Sequence, residues 1–249
     1  EGCTPLILAA INDRIQCTQL LIDAKANVNA KTDNGYTALV AAVCVNHAEC
    51  AQLLIDAKAD IDVQDELGKS LLMATARYGG IKNARMLIDS KANLEDKDET
   101  GATVLMQAVH VKNIEYVKML IDADANLDAK DDAGRTALMF AVDGGHPDCV
   151  QLLTDAKADI EAGDKYGRTA LMYAADDGDT ECVALMINAK ADIEAQDKAG
   201  RTALMLAAAC EDATECVALL VDASTIAAKP PQRKRRRASD APAPHDEEQ

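Results

Sequence analysis

The sequence predicts an all-α repeat fold, in which pairs of short helices stack side by side into a solenoid. Three observations predict it: a glycine recurs every 33 residues, Thr or Ser follows two residues later, and Leu follows four residues after the glycine. The glycines are Gly2, Gly35, Gly68, Gly101, Gly134, Gly167 and Gly200, and we number the units 1 to 7 from them. Because two short helices cannot bury their apolar faces alone, each unit needs neighbours.

Each unit reads as a turn, a helix, a second turn and a second helix, and unit 6 shows the pattern clearly. Thr169 can accept hydrogen bonds from the free amides of a first helix over 169–175. A polar break over 176–180 separates it from a second helix over 181–187, whose apolar residues recur at helical spacing. The polar stretch before the next glycine suits a short hairpin-like turn that joins consecutive units.

The composition narrows the classes of partner. The 249 residues carry a net charge of −16, with one Phe and no Trp, so small and aliphatic side chains must fill the interior. The acidity argues against nucleic acid as a partner because phosphates would be repelled. No run of 18 apolar residues is present, which argues against a membrane span. We therefore expect an intracellular protein of the cytoplasm or nucleus that is a monomer and binds neither nucleic acid nor membrane.

The units resemble ankyrin repeats. The segment Gly2-Cys-Thr-Pro-Leu6 is similar to the opening of that repeat, and Ala26-Asn-Val-Asn-Ala30 is similar to its close. The resemblance extends over residues 1–224 and implies an ankyrin-type solenoid of seven tandem 33-residue repeats. It also implies a non-catalytic protein that binds a protein or peptide on the concave face formed by the turns and first helices.

Two positions depart systematically from the family pattern. A histidine of the family is replaced by apolar residues, which exchanges a hydrogen bond for packing. A glycine of the family after the second helix is replaced by Lys25, Lys58, Lys91, Asp124, Lys157 and Lys190. A left-handed backbone at a residue other than glycine costs about 1 kcal/mol, so these exchanges lower local stability without changing the fold.

The array is expected to end at 224 and to be followed by a disordered tail over 225–249. Four of the six prolines lie in this tail. Its basic cluster is typical of a nuclear-import signal, and Ser239 behind it resembles a kinase target whose phosphate would weaken the positive charge. The cluster consists of Arg233, Lys234, Arg235, Arg236 and Arg237. Alternatively, the tail only solubilises the chain or contacts the acidic array. Because unit 1 opens at its glycine, we also expect the array to continue upstream.

Residues that could carry chemistry fall into the repeat pattern instead. Cysteines recur fifteen residues after the glycine, a slot that Tyr116 fills in unit 4, so we interpret the slot as buried packing. These cysteines are Cys17, Cys50, Cys149, Cys182 and, after a one-residue insertion, Cys216. No Cys-x-x-Cys pair is present, and the recurrent His47 and His146 suit the turn between helices. We expect no enzyme, no metal site and no cofactor.

Binding residues are expected among the positions that vary from unit to unit on the turns and first helices. The candidates are Tyr36, Val45, Leu67, Arg77, Tyr78, His110, Val111, Arg135, Asp143, Arg168, Asp176 and Asp177. Among the first seven, the apolar and aromatic residues form a strip that is flanked by Arg77 and His110. The last five combine basic turns with an acidic floor. Exposed apolar residues in series are typical of a partner site, although tolerated surface substitutions would give the same pattern.

Three roles are compatible with such an array. The favoured one is a scaffold, adaptor or inhibitor. The array could instead be the regulatory or targeting segment of a larger enzyme or channel, because fold alone does not determine function. A purely elastic or spacer role is the third.

Overall fold

The computed structural model describes residues 2–78, 80–210 and 213–227, with the side chains of Tyr78, Ile226 and Ala227 excluded. These residues form seven pairs of helices and confirm the predicted all-α repeat fold. The first helices are Pro5–Ile11 (α1), Ala38–Cys44 (α3), Leu71–Tyr78 (α5), Val104–His110 (α7), Ala137–Asp143 (α9), Ala170–Asp176 (α11) and Ala203–Ala209 (α13). The second helices are Ile15–Asp23 (α2), Ala48–Asp56 (α4), Ile81–Asp89 (α6), Ile114–Asp122 (α8), Pro147–Asp155 (α10), Thr180–Asn188 (α12) and Thr214–Ala227 (α14).

The end of the array differs in detail from the sequence-based boundary, because α14 continues to Ala227, three residues past 224. The basic cluster over 233–237 and Ser239 lie outside the described residues, and the interpretations attached to them remain predictions.

The first helices begin where the Thr pattern places them. A hydroxyl accepts a hydrogen bond of 3.2–3.4 Å from the backbone N–H three residues later in five units. The residues concerned are Thr4, Thr37, Ser70, Thr136 and Thr202. Each of these bonds satisfies an amide that has no partner within its own helix, so the caps explain why the helices start in register.

The second helices of units 1–6 are followed by a left-handed residue, as predicted from the missing glycine. At Lys157 φ is +69°, and values of +60° to +74° recur at the equivalent position of units 1–4 and 6. The amide of Lys157 donates to the Thr154 carbonyl at 3.1 Å, and that of Ala158 to the Leu153 carbonyl at 3.0 Å. This pair of bonds is a Schellman motif, which satisfies the last carbonyls of the helix.

The hairpin-like turns form a row of tips, each running from three residues before the conserved glycine to one residue after it. In unit 6 the Asp164 amide donates to the Arg168 carbonyl at 3.0 Å, and the Gly167 amide donates to the Asp164 carbonyl at 2.9 Å. Gly167 has a φ of +79°. Neighbouring tips are joined through the backbone, as where the Lys165 amide donates to the Ala133 carbonyl at 2.9 Å. Within the described ranges the turns form only an isolated β-bridge, between Gln64 and Ser70.

The interior runs through the stack between units and consists mainly of Ala, Leu, Val and Met, as the lack of aromatics predicts. Tyr116 is fully buried in the cysteine slot, with its hydroxyl oxygen 2.8 Å from the Leu72 carbonyl oxygen of the preceding unit. All eight cysteines are free. Burial raises the pKa of the Cys149 and Cys182 thiols, so both are protonated at neutral pH.

The prediction of a buried slot is wrong for Cys17, which is exposed. The slot is covered by the preceding unit: the Cys50 sulfur lies 3.7 Å from the Thr18 hydroxyl and 3.5 Å from an Asp13 carboxylate oxygen. No described residue stands in that place for unit 1, so the thiol of Cys17 faces solvent.

Candidate binding groove

An open groove of about 1540 Å³ lies between the tips of units 2–5 and the first helices α3, α5, α7 and α9. Six of the candidate binding residues line it: Tyr36, Leu67, Arg77, His110, Val111 and Arg135. Tyr36, Leu67 and Val111 keep 49%, 43% and 45% of their surface exposed. The structure therefore places three apolar or aromatic side chains of the predicted strip along one depression.

Small side chains line this groove at two positions of the repeat. The first position directly follows the glycine on the tip, and the second lies five residues later on the first helix. Ala102 holds the first position in unit 4 and Ala74 holds the second in unit 3, and both line the groove. Neither side chain is long enough to reach across it.

Arginine and an aromatic ring occupy the same two positions in units 5 and 6. The Arg135 guanidinium carbon lies 4.2 Å from the centre of the Phe140 ring, and that of Arg168 lies 4.2 Å from the centre of the Tyr173 ring. Such cation–π contacts hold the long side chains down on the helices. Arg135 and Phe140 consequently close one end of the groove.

Each arginine also contacts two carboxylates, one buried (Asp131 or Asp164) and one exposed (Asp143 or Asp176). An Arg135 nitrogen lies 3.0 Å from Asp131 and another lies 4.0 Å from Asp143. An Arg168 nitrogen lies 3.4 Å from Asp164. Another lies 3.7 Å from Asp176, which stands in unit 6 where Asp143 stands in unit 5. Four of the predicted binding residues, the two arginines with Asp143 and Asp176, are thus partners of one another within the array.

The Asp164 carboxylate accepts hydrogen bonds from two backbone amides and from the Tyr173 hydroxyl. Burial by itself raises its pKa, but the amides of Arg168 and Tyr166, the Tyr173 hydroxyl and the Arg168 charge together bring the pKa below its usual value. The hydroxyl donates to the carboxylate at 2.9 Å. Burial, followed by that bond, raises the pKa of Tyr173 to about 12. Asp164 is therefore ionised, and Tyr173 protonated, at neutral pH.

The buried carboxylates are not among the residues predicted from the sequence, although the sequence contains a signal for them. Asp stands three residues before the glycine and Arg one residue after it in the last three units, a spacing of four that lets the two side chains meet. The buried acids are Asp131, Asp164 and Asp197. An aromatic residue five positions after the arginine marks the units in which the groove is filled.

The other candidates lie in different surroundings. Val45 is 44% exposed but does not line the groove, and for Tyr78 the structure describes only the backbone at the end of α5. Asp177 is exposed in unit 6, where burial and then the charges of Asp143, Asp176 and Asp179 raise its pKa. Across the described residues, the Arg77 side chain forms no ion pair with a carboxylate, so its charge remains available, and His110 likewise contacts no carboxylate.

Two further kinds of site are absent from the described parts of the chain. There, no group of three or more His, Cys, Asp or Glu side chains lies close enough together to hold a metal ion. No helix in the same residues has the length and apolar character needed to cross a membrane.

Comparison with known proteins agrees with the class that the geometry defines, a solenoid of stacked helix pairs joined by hairpin-like tips. The family model for ankyrin repeats matches residues 1–65, 71–164, 120–197 and 156–230. The chain therefore belongs to the ankyrin repeat family, whose members are in general non-catalytic modules that bind other proteins. No curated protein matches the sequence.

Solved structures of ankyrin repeat domains share the fold closely. The domain of Bcl-3, described as a unique member of the IκB family, is 26% identical with a TM-score of 0.83, and the match covers 89% of this chain and 99% of that one. The domain of human ASB11 is 25% identical with a TM-score of 0.73, covering 87% and 97%. A domain from Acinetobacter baumannii is 32% identical with a TM-score of 0.72, covering 76% and 98%.

Proposed function

We propose that this chain is a non-catalytic interaction module, a scaffold, adaptor or inhibitor, that holds a segment of a partner protein in the groove of units 2–5. One observation carries the proposal: Tyr36, Leu67 and Val111 expose nearly half of their surfaces along a single open groove. Apolar side chains gathered in a concave surface with polar edges are typical of interaction sites.

The second half of the array supports this choice of site, because its own side chains fill the space that is open in the first half. In units 5 and 6, arginine, aromatic ring and carboxylate already satisfy one another. A partner would have to break these contacts to bind there, whereas in units 2–4 it needs only to displace water. We therefore place the binding energy on the apolar side chains of the open half, with Arg77 and His110 at its edge.

The test is a double variant with two new charges in the groove, Leu67→Asp with Val111→Asp. Its matched control is Leu20→Asp with Val221→Asp, which adds the same charges at exposed apolar positions that do not line the groove. Peptides selected from a random 12-residue display library on the wild-type protein would be titrated against all three proteins by fluorescence anisotropy, with circular dichroism verifying the fold.

We expect selected peptides to bind the wild type and the control equally and to lose about tenfold or more in affinity for the groove variant, because apolar anchors carry most interface energy. Equal binding to all three proteins would contradict the proposal, as would a selection that yields no groove-dependent peptide.

A further inference from the structure

Acidic side chains outnumber basic ones around the groove. Its lining includes six carboxylates, Asp33, Asp60, Asp62, Asp65, Glu66 and Asp98, and four bases, Lys31, Lys69, Arg77 and Arg135. Of these bases, Arg135 is already paired with Asp131 at 3.0 Å. The groove therefore presents an excess of negative charge around its apolar side chains.

The charge at one position of the tips changes along the array. The tip residue two positions before the glycine is acidic in units 2–5 and becomes Lys in units 6 and 7. The acidic members are Asp33, Glu66, Glu99 and Asp132, and the basic ones are Lys165 and Lys198. The sign changes between unit 5, where Arg135 and Phe140 close the groove, and unit 6, so acidic tips run along the whole groove and basic tips lie beyond its closed end.

We propose that the groove selects a cationic segment of its partner, in which Lys or Arg side chains alternate with apolar ones. The apolar residues would pack on Tyr36, Leu67 and Val111, and the basic residues would face Glu66 and the neighbouring tips. This inference rests on the proposed function and specifies the chemistry of the partner at that same site.

The dimensions of the groove set the length of this segment. Stacked helices lie about 10 Å apart, so the three intervals from unit 2 to unit 5 span roughly 30 Å. An extended chain rises about 3.3 Å per residue, and about nine residues therefore fill the groove. Successive side chains of an extended chain point to opposite sides, which suits an alternation of apolar and basic residues.

The charges contribute chiefly to selectivity and to the rate of association. Each exposed charge pair is weak on its own, and salt screens it. A negative groove on a chain of net charge −16 nevertheless attracts cationic segments and disfavours acidic ones before contact is made.

The experiment uses the groove-dependent peptides selected from the display library and three single variants of the full chain. Glu66→Lys reverses an exposed tip charge and Arg77→Glu reverses an exposed floor charge, both within the groove. Glu215→Lys is the control, because it changes the net charge by the same amount as Glu66→Lys at an exposed position of α14 outside the groove.

We expect the selected peptides to be enriched in Lys and Arg. Glu66→Lys should weaken their binding by about threefold to tenfold, Arg77→Glu should strengthen it, and Glu215→Lys should change it by less than about twofold. Raising NaCl from 50 to 300 mM should weaken the wild-type complex.

Two results would overturn the inference while leaving the proposed function intact: groove-dependent peptides that are neutral or acidic, or equal weakening by Glu66→Lys and Glu215→Lys. The absence of any groove-dependent peptide would overturn both.

Discussion

At the scale of single residues, the left-handed lysines are the clearest departure from an optimal repeat. Lys157 has φ +69°, where a Cβ atom is strained and glycine is not. We predict that Lys157→Gly raises the free energy of unfolding by about 0.5–1 kcal/mol, less a few tenths for the lost attraction to the helix C-terminus. Urea denaturation monitored by circular dichroism measures this change.

The matched control is Lys157→Ala, which removes the charge but keeps the Cβ atom. It should be no more stable than the wild type. If Lys157→Gly gains nothing over Lys157→Ala, the strain assigned to the left-handed backbone is absent.

Asp164 gives the second prediction at this scale, a dependence of stability on pH. Because its pKa is lowered in the folded protein, its stabilising contribution is complete above the unfolded value, about 3.9, and is lost as pH falls through the folded value. Asp164→Asn should cost about 1–3 kcal/mol at pH 7, since it disturbs a buried, charge-assisted network. The difference from the wild type should shrink as urea titrations are repeated from pH 5 to pH 3.

Asp177→Asn is the control, for which we expect the free energy of unfolding to change in the opposite direction. The pKa of Asp177 is raised, by burial and then by neighbouring carboxylates, so its ionised form disfavours the folded state. Removing the charge should stabilise the protein slightly at pH 7, and the gain should disappear in acid, where the wild-type carboxyl is protonated. A constant difference for Asp164→Asn at every pH would rule out its titration as the cause.

At the scale of helices, α6 in unit 3 contains a polar residue in an otherwise apolar slot. Asn83 is fully buried where other units have Cys or Tyr, and its side-chain oxygen has no hydrogen-bond partner. Its amide nitrogen makes only long contacts, 3.5 Å to the Val43 carbonyl and 3.4 Å to Asn46. An unsatisfied buried polar atom costs about 1–3 kcal/mol.

We therefore predict that Asn83→Cys, which has a similar volume, raises the free energy of unfolding by about 1 kcal/mol. Asn83→Ala is the control, because it removes the polar atoms but leaves a void and should gain less or nothing. Both are measured by urea denaturation. Destabilisation by Asn83→Cys would show that the long amide contacts are essential to the joint between units 2 and 3.

The helices also show what the sequence could and could not predict. The Thr136 cap and the left-handed Lys157 follow from their own positions in the repeat, and both could be foreseen. Exposure of Cys17 could not, because burial in that slot depends on a neighbouring unit and not on the residue. The contacts of Arg168 could be foreseen only in part: the spacing of four residues predicts its contact with Asp164, whereas its contacts with Tyr173 and Asp176 depend on where α11 places those side chains in space.

At the scale of the whole molecule, the two halves of the array differ in how firmly their units are joined. Units 5 and 6 combine backbone bonds between tips with stacked arginines and buried ion pairs. Units 2 and 3 include the unsatisfied Asn83 and small residues that line the groove. Because repeats contact only their neighbours, such local differences are not averaged over the chain.

We predict that hydrogen exchange followed by mass spectrometry will show slower exchange in α9–α12 than in α3–α6. A groove-dependent peptide should then raise protection in α3 and α5, the helices that form the floor of the groove, because a ligand stabilises the folded state of the units it contacts. Arg168→Ala should lower protection in α11 and leave α3 unchanged. Uniform exchange along the array would contradict this prediction and show that the stack opens as a single cooperative unit. The open half would then bind because of its shape and charge and not because of lower local stability.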